Sequence, residues 1–185
     1  MFGNLVNNRQ LLKLLEERQL TIEPFNEKEL GTANYPLRAR RILNRQPDGK
    51  WVQGHNFEDD PNPFDVPANG YVIVEAREAI KLNTDGLLGN FLPASNLIEQ
   101  GFSVVCGKMD KKYGTTGGER LRFGLKNMLP ESNRLTATDR IVHVQFYDLR
   151  SLANLSSGLS EEEIKIRIAR AFRQRDDGMY YDEKD

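Results

Sequence analysis

From Gly70 to Leu149 the sequence is a succession of short apolar runs separated by Gly, Asn and Asp. Tyr71-Val72-Ile73-Val74, Ala79 to Leu82, Leu87 to Leu92, Phe102 to Cys106, Leu121 to Leu125 and Ile141 to Leu149 each suit a strand, and Asn83-Thr84-Asp85-Gly86 is a turn signal. Even spacing without long helical periods argues for a mainly β fold, a sandwich or barrel rather than βαβ units. In the last run Val142, Val144 and Phe146 fall on one face and His143, Gln145 and Tyr147 on the other. His143 is therefore read as a hydrogen-bonded residue on a half-buried strand. Cys106, at the end of an apolar run, is read as a small buried residue rather than a nucleophile.

Helical spacing is confined to the two ends. Leu11, Leu12, Leu14 and Leu15 form one stripe behind Asn7-Asn8 as caps, predicting a helix that ends near Arg18-Gln19. Leu20-Thr21-Ile22 follows as a strand stopped by Pro24. Gly31 to Leu43 suits another strand, although Pro36 lacks a ladder donor and needs an edge or a bulge. Within it, Arg38, Arg40 and Arg41 read as a solvated strand face, with phosphate binding as the competing role. Gln46 to Ala68 is rich in Pro, Asp and Asn. Trp51-Val52 begins a short strand there, His55 is taken as a loop residue, and Glu58-Asp59-Asp60 as an acidic surface loop without metal-ligand spacing. At the other end Ser160-Glu161-Glu162-Glu163 is a capping-box pattern. Ile164, Ile168, Ala171 and Phe172 then make the stripe of an amphipathic helix, followed by an acidic tail carrying Tyr180-Tyr181. The expected organisation is a β domain with an N-terminal helix over 1–155, and a helix and tail over 156–185.

Composition narrows the function classes. The 185 residues carry a formal net charge of -1, so bulk charge gives no strong nucleic-acid signal. A single cysteine excludes an intrachain disulfide. No apolar run approaches a membrane span, and the start lacks the basic and apolar blocks of a signal peptide. A cytoplasmic protein without membrane partners is expected.

Two stretches carry the chemistry. Pro93-Ala94-Ser95-Asn96 places small polar groups at a turn after a strand, where backbone N–H groups and a hydroxyl can face phosphate oxygens. In Gly107-Lys108-Met109-Asp110-Lys111-Lys112-Tyr113, a carboxylate that can activate water stands three residues before an aromatic ring that can stack. Together with Asn34-Tyr35-Pro36-Leu37-Arg38, Asn69 to Val74, Glu78 to Leu82, Leu97 to Phe102 and Asn127, these pieces resemble, in order and spacing, the dCTP deaminase/dUTPase superfamily. The resemblance covers most of the first 150 residues, and the N-terminal helix favours the deaminase branch. It implies a distorted β-barrel or jelly roll, a homotrimer with sites between subunits, and Mg2+-dependent processing of deoxypyrimidine triphosphates. The superfamily is common in phages, so host cytoplasm or virion is the expected location for a phage-encoded member.

Ser95, Asp110 and Tyr113 match the family's pattern as nucleotide-binding candidates, with Asp110 a vestigial catalytic candidate. Other positions depart from it. Pro36 replaces an acidic residue, Ala94 and Glu99 replace arginines of the phosphate motif, Asn96 replaces a serine, and His143 a glutamine. Counting back from Asn127, the proton-shuttling glutamate is Gly124, and the glycine-rich C-terminal arm of dUTPases is absent. Glu99 would repel phosphates, and Gly124 has no group to move a proton. The sequence therefore leans away from an enzyme. It is read as a non-catalytic trimeric scaffold with a structural or protein-binding role, such as virion decoration, using the C-terminal helix and tail for contacts and needing no cofactor. An active deaminase or dUTPase using Mg2+ is the alternative.

Overall fold

The computed structural model describes residues 5–109, 120–150 and 162. Helix α1 (Asn8–Glu16) opens on a capping box, in which the Asn7 side chain accepts from the Gln10 N–H and the Gln10 side chain accepts from the Asn7 N–H, both at 3.0 Å. Leu11 and Leu14 are its buried residues. It stops two residues earlier than its apolar stripe predicts, because Arg18 turns the chain with a left-handed φ of 56°. The chain then enters β1 (Leu20–Glu23), and a short 3-10 turn follows at Glu27–Glu29.

Strand β2 (Tyr35–Arg45) is the hub, followed by β3 (Trp51–Asn56), β4 (Phe64–Val66), β5 (Tyr71–Ala76), β6 (Ala79–Leu82) and β7 (Leu87–Pro93). After α2 (Ser95–Glu99) come β8 (Phe102–Val105), β9 (Lys108–Met109), β10 (Arg122–Asn127), β11 (Asn133–Leu135) and β12 (Arg140–Asp148). The main sheet runs β8-β10-β5-β2-β12-β7-β9, with β3 also paired to β2. Two small sheets, β1-β6 and β11-β4, flank it. All pairs are antiparallel. The long β2 serves two neighbourhoods, since residues 35–38 pair with β12 and residues 39–43 with β5. Register shifts between Ala39 and Arg41, and between Arg140 and Val142, mark bulges that help the sheet curl over one face.

The core lies on that face. Leu37, Ile42, Val74, Leu125, Val142 and Val144 are completely buried, and each large aliphatic one contributes about 1.5–3 kcal/mol. The predicted alternation on β12 holds, with Val142, Val144 and Phe146 inside and His143, Gln145 and Tyr147 half-buried. Pro36 is accommodated because only β12 flanks it. The Arg38 N–H, two residues on, points to the other side, where it meets the Glu78 carboxylate at 2.8 Å instead of a strand. By the two-residue period Pro36 directs its nitrogen to that unladdered side. Fully buried Asn127 donates to the carbonyls of Val66, Pro67 and Glu131 and accepts from the Leu129 N–H, tying two loops to the end of β10.

Three expectations are corrected. The stretch Gln46 to Ala68 forms β3 and β4, and His55 belongs to β3 rather than to a loop. Its ring packs against Phe57 and Phe64, with centroids 4.5 and 5.6 Å away, so aromatic contacts compensate for a polar sequence. Cys106 lies just past β8 and is half-buried, its Sγ donating to the Phe91 carbonyl at 3.4 Å. Burial raises its thiol pKa. The third correction concerns the arginine cluster and bears on the site. The chain divides into two units, Met1–Asp148 and Leu149–Asp185. The named elements all belong to the first, and the predicted C-terminal helix and tail fall outside the described residues.

Candidate functional site

Of the three candidates, Ser95 is placed and Asp110 and Tyr113 lie outside the described residues. Ser95 opens α2, a five-residue helix, and is exposed. The expected turn is thus a helix start. Ala94 is the N-cap, makes no side-chain cap and is completely buried, as is Leu97. Both follow from packing, because this short helix docks its two small or apolar positions into the core. Ser95, Asn96 and Glu99 all face solvent.

The surroundings of α2 are apolar. A groove of about 390 Å³ runs between the helix and β8, lined by Pro93, Ile98, Phe102, Val104 and Met128 among others. Ile98 and Met128 are more than half exposed. This surface offers contact area to an apolar partner, whereas a triphosphate needs cations and N–H donors.

Gly124 is held in the middle of the sheet, paired with Ile73 of β5 and Val105 of β8. A Cβ there would fall on the phenol oxygen of Tyr71, with Cζ 2.7 Å away. The tyrosine occupies the space into which a side chain at 124 would project. Tyr71 in turn packs edge-on against Trp51, with ring centroids 6.1 Å apart.

The arginines of β2 are not a solvated face. Arg38 bridges Glu29 at 2.8 Å and Glu78 at 3.7 Å. Arg40 bridges Glu58 at 2.8 Å and Glu75 at 3.2 Å, and Arg41 lies 3.9 Å from Glu75. Arg122 of β10 reaches the same Glu75 at 3.2 Å. The bulge beside Arg41 explains the convergence. Arg38 and Arg40 share one parity with the outer face, Arg41 and Leu43 the other, so consecutive arginines end on one side. Glu75 and Glu78 are buried, at 5% and 2% exposure. Burial pushes the Glu78 carboxyl above its usual range against the pull of Arg38. Hydrogen bonding from Arg38, with further attraction from Arg140, holds Glu29 below it.

Sequence reasoning missed this network because Glu75 and Glu78 end or follow an apolar run and look like surface punctuation. Their signal was present only as parity, with Glu75 two residues beyond Ile73 on the same face. Among the described residues no group of three or more His, Cys, Asp or Glu side chains could hold a metal ion. No described helix is long and apolar enough to cross a membrane.

Among solved structures, the 2'-deoxycytidine 5'-triphosphate deaminase from Agrobacterium tumefaciens superposes with a TM-score of 0.56 at 13% identity. The chain has the dCTP deaminase/dUTPase-like fold. The match covers 77% of this chain and 47% of that one, so this chain spans less than half its length. The dUTPase of Streptococcus mutans matches with a TM-score of 0.46 at 18% identity, over 71% of this chain and 96% of that one. That of EIAV matches with a TM-score of 0.40 at 12% identity, over 68% and 92%. No family model matches the sequence, and no curated protein does. The likeness is one of fold.

Proposed function

We propose that this chain is a non-catalytic, homotrimeric scaffold on a dCTP deaminase/dUTPase-like fold, with a structural or protein-binding role such as decoration of a virus particle. The observation that carries the reading is Gly124. The position that the sequence resemblance assigns to the proton-shuttling glutamate has no side chain, and the Tyr71 phenol fills the space. Deamination needs a group there to move protons as water attacks the ring. The apolar groove beside α2, with exposed Ile98 and Met128, supports contact with protein rather than with a triphosphate. Buried Ala94 and exposed Glu99 supply no cation beside it.

The test is direct. Purified protein incubated with dCTP or dUTP and Mg2+ is expected to release neither ammonia nor pyrophosphate above the buffer rate. Turnover that Asp110→Asn abolishes would replace the scaffold by the alternative, a divergent deoxypyrimidine triphosphate deaminase or diphosphatase using Ser95, Asp110 and Tyr113.

A further inference from the structure

The outer face of the main sheet has no part in the reading above, and its register sets side chains in rows. Arg122, Glu75 and Arg41 are cross-strand partners on β10, β5 and β2. The next row is Gly124, Ile73 and Leu43. Beyond it Lys126 pairs with Tyr71, and Arg45 with Trp51 of β3. Rows two residues apart are separated by about 7 Å, comparable to the step between nucleotides of an extended single strand.

Charge on this face is unbalanced. Arg38 and Arg40 are matched by Glu29 and Glu58 at 2.8 Å. Among the described residues, Arg41, Arg122, Arg45 and Lys126 then stand against one carboxylate, Glu75. Arg41 keeps its Nε buried without a hydrogen-bond partner, and Arg122 is 60% exposed. Arg45 is exposed and makes no ion pair among the described residues. This excess is local, since the whole chain has a net charge of -1. Beside the cations lie two exposed aromatics, Trp51 and Tyr71, the latter laid over the strand at Gly124. Aromatic rings interleaved with cations on an open sheet are what base stacking and phosphate pairing require, and a duplex, whose base faces are hidden, cannot use the rings.

We infer that this face binds single-stranded nucleic acid, with bases on Trp51 and Tyr71 and phosphates along Arg41, Arg122, Arg45 and Lys126. The inference does not depend on the scaffold reading. It requires the face to stay open when copies of the chain associate.

Trp51 is the only tryptophan in the chain, so its fluorescence reports on the site itself. The full-length protein is titrated with an oligothymidylate of about 20 nucleotides, a duplex of equal length, and dTTP. The single strand is expected to quench Trp51 saturably and tighter than either competitor, with affinity falling at least tenfold when salt rises from about 50 to about 200 mM. Tyr71→Ala should weaken binding by about 5- to 100-fold. Arg45→Glu, at an exposed position, should weaken it by roughly tenfold at low salt and flatten the salt dependence by about one phosphate contact. Absence of quenching, equal affinity for the duplex or for dTTP, or an Arg45→Glu protein that binds like the unaltered chain would each overturn the inference.

Discussion

His143 shows how a single residue couples this fold to pH. It sits on β12 between Pro36 and Leu92, and burial with repulsion by Arg140 lowers its pKa from the ordinary imidazole value. A depressed histidine pKa means the unfolded chain takes up the proton first. Its contribution is intact above pH of about 6.5 and declines as pH falls toward the folded-state value. Urea unfolding midpoints should therefore drop between pH 7 and pH 5.5, and His143→Gln should remove the part of that drop due to this site. An unchanged pH profile in the variant would show that groups other than His143 carry it. Glu29 acts with the same sign at lower pH, because its carboxyl is held below the usual range and loses its arginine partners on protonation. Glu78 acts oppositely. Its raised carboxyl favours folding when protonated, and that advantage is lost as pH rises through its folded value.

Among the elements, β2, β5 and β10 are clamped together by Glu75. Three guanidinium groups converge on this buried carboxylate, and removing it would leave them facing one another. Glu75→Ala is expected to lower stability by about 3–5 kcal/mol, the range for breaking a buried pair from one side. Arg122→Ala should cost under about 1 kcal/mol, because its side chain is largely solvated and Arg40 remains in place. Chemical denaturation of the two variants measures the contrast. Equal losses would mean that the clamp is distributed and not centred on Glu75. The bulge in β2 makes this arrangement possible, since without it Arg40 and Arg41 would point to opposite faces and one guanidinium would enter the core.

For the whole molecule, the proposal predicts self-association. Light scattering at micromolar concentration should give three times the chain mass, and a monomer would remove the trimeric scaffold. The fold alone leaves catalysis open, since one fold hosts many functions. The decisive features are the particular groups at Gly124, Ala94 and Glu99.

How much of this was legible beforehand follows from the range of the interactions. Short apolar runs and period-two alternation declared the longer strands of residues 70–149, though not β9 or β11, and the Asn7 cap declared α1, because such signals depend on neighbours within a few residues. The same local logic failed for His55, whose burial is supplied by Phe57 and Phe64 across a polar stretch, and for Cys106, which lies one residue past its strand. It also failed for Arg38, Arg40 and Arg41, which look solvated in sequence and are paired in space with carboxylates up to 40 residues away. For the site, sequence alone determined which side chains are present and that Gly124 offers no proton-transfer group. Only the tertiary structure decided that Tyr71 fills the space above that glycine, and that Arg41, Arg45, Arg122 and Lys126 share one sheet face with two aromatic rings. Both depend on strand register and on a bulge, and register is fixed by which face of each strand is buried against the others.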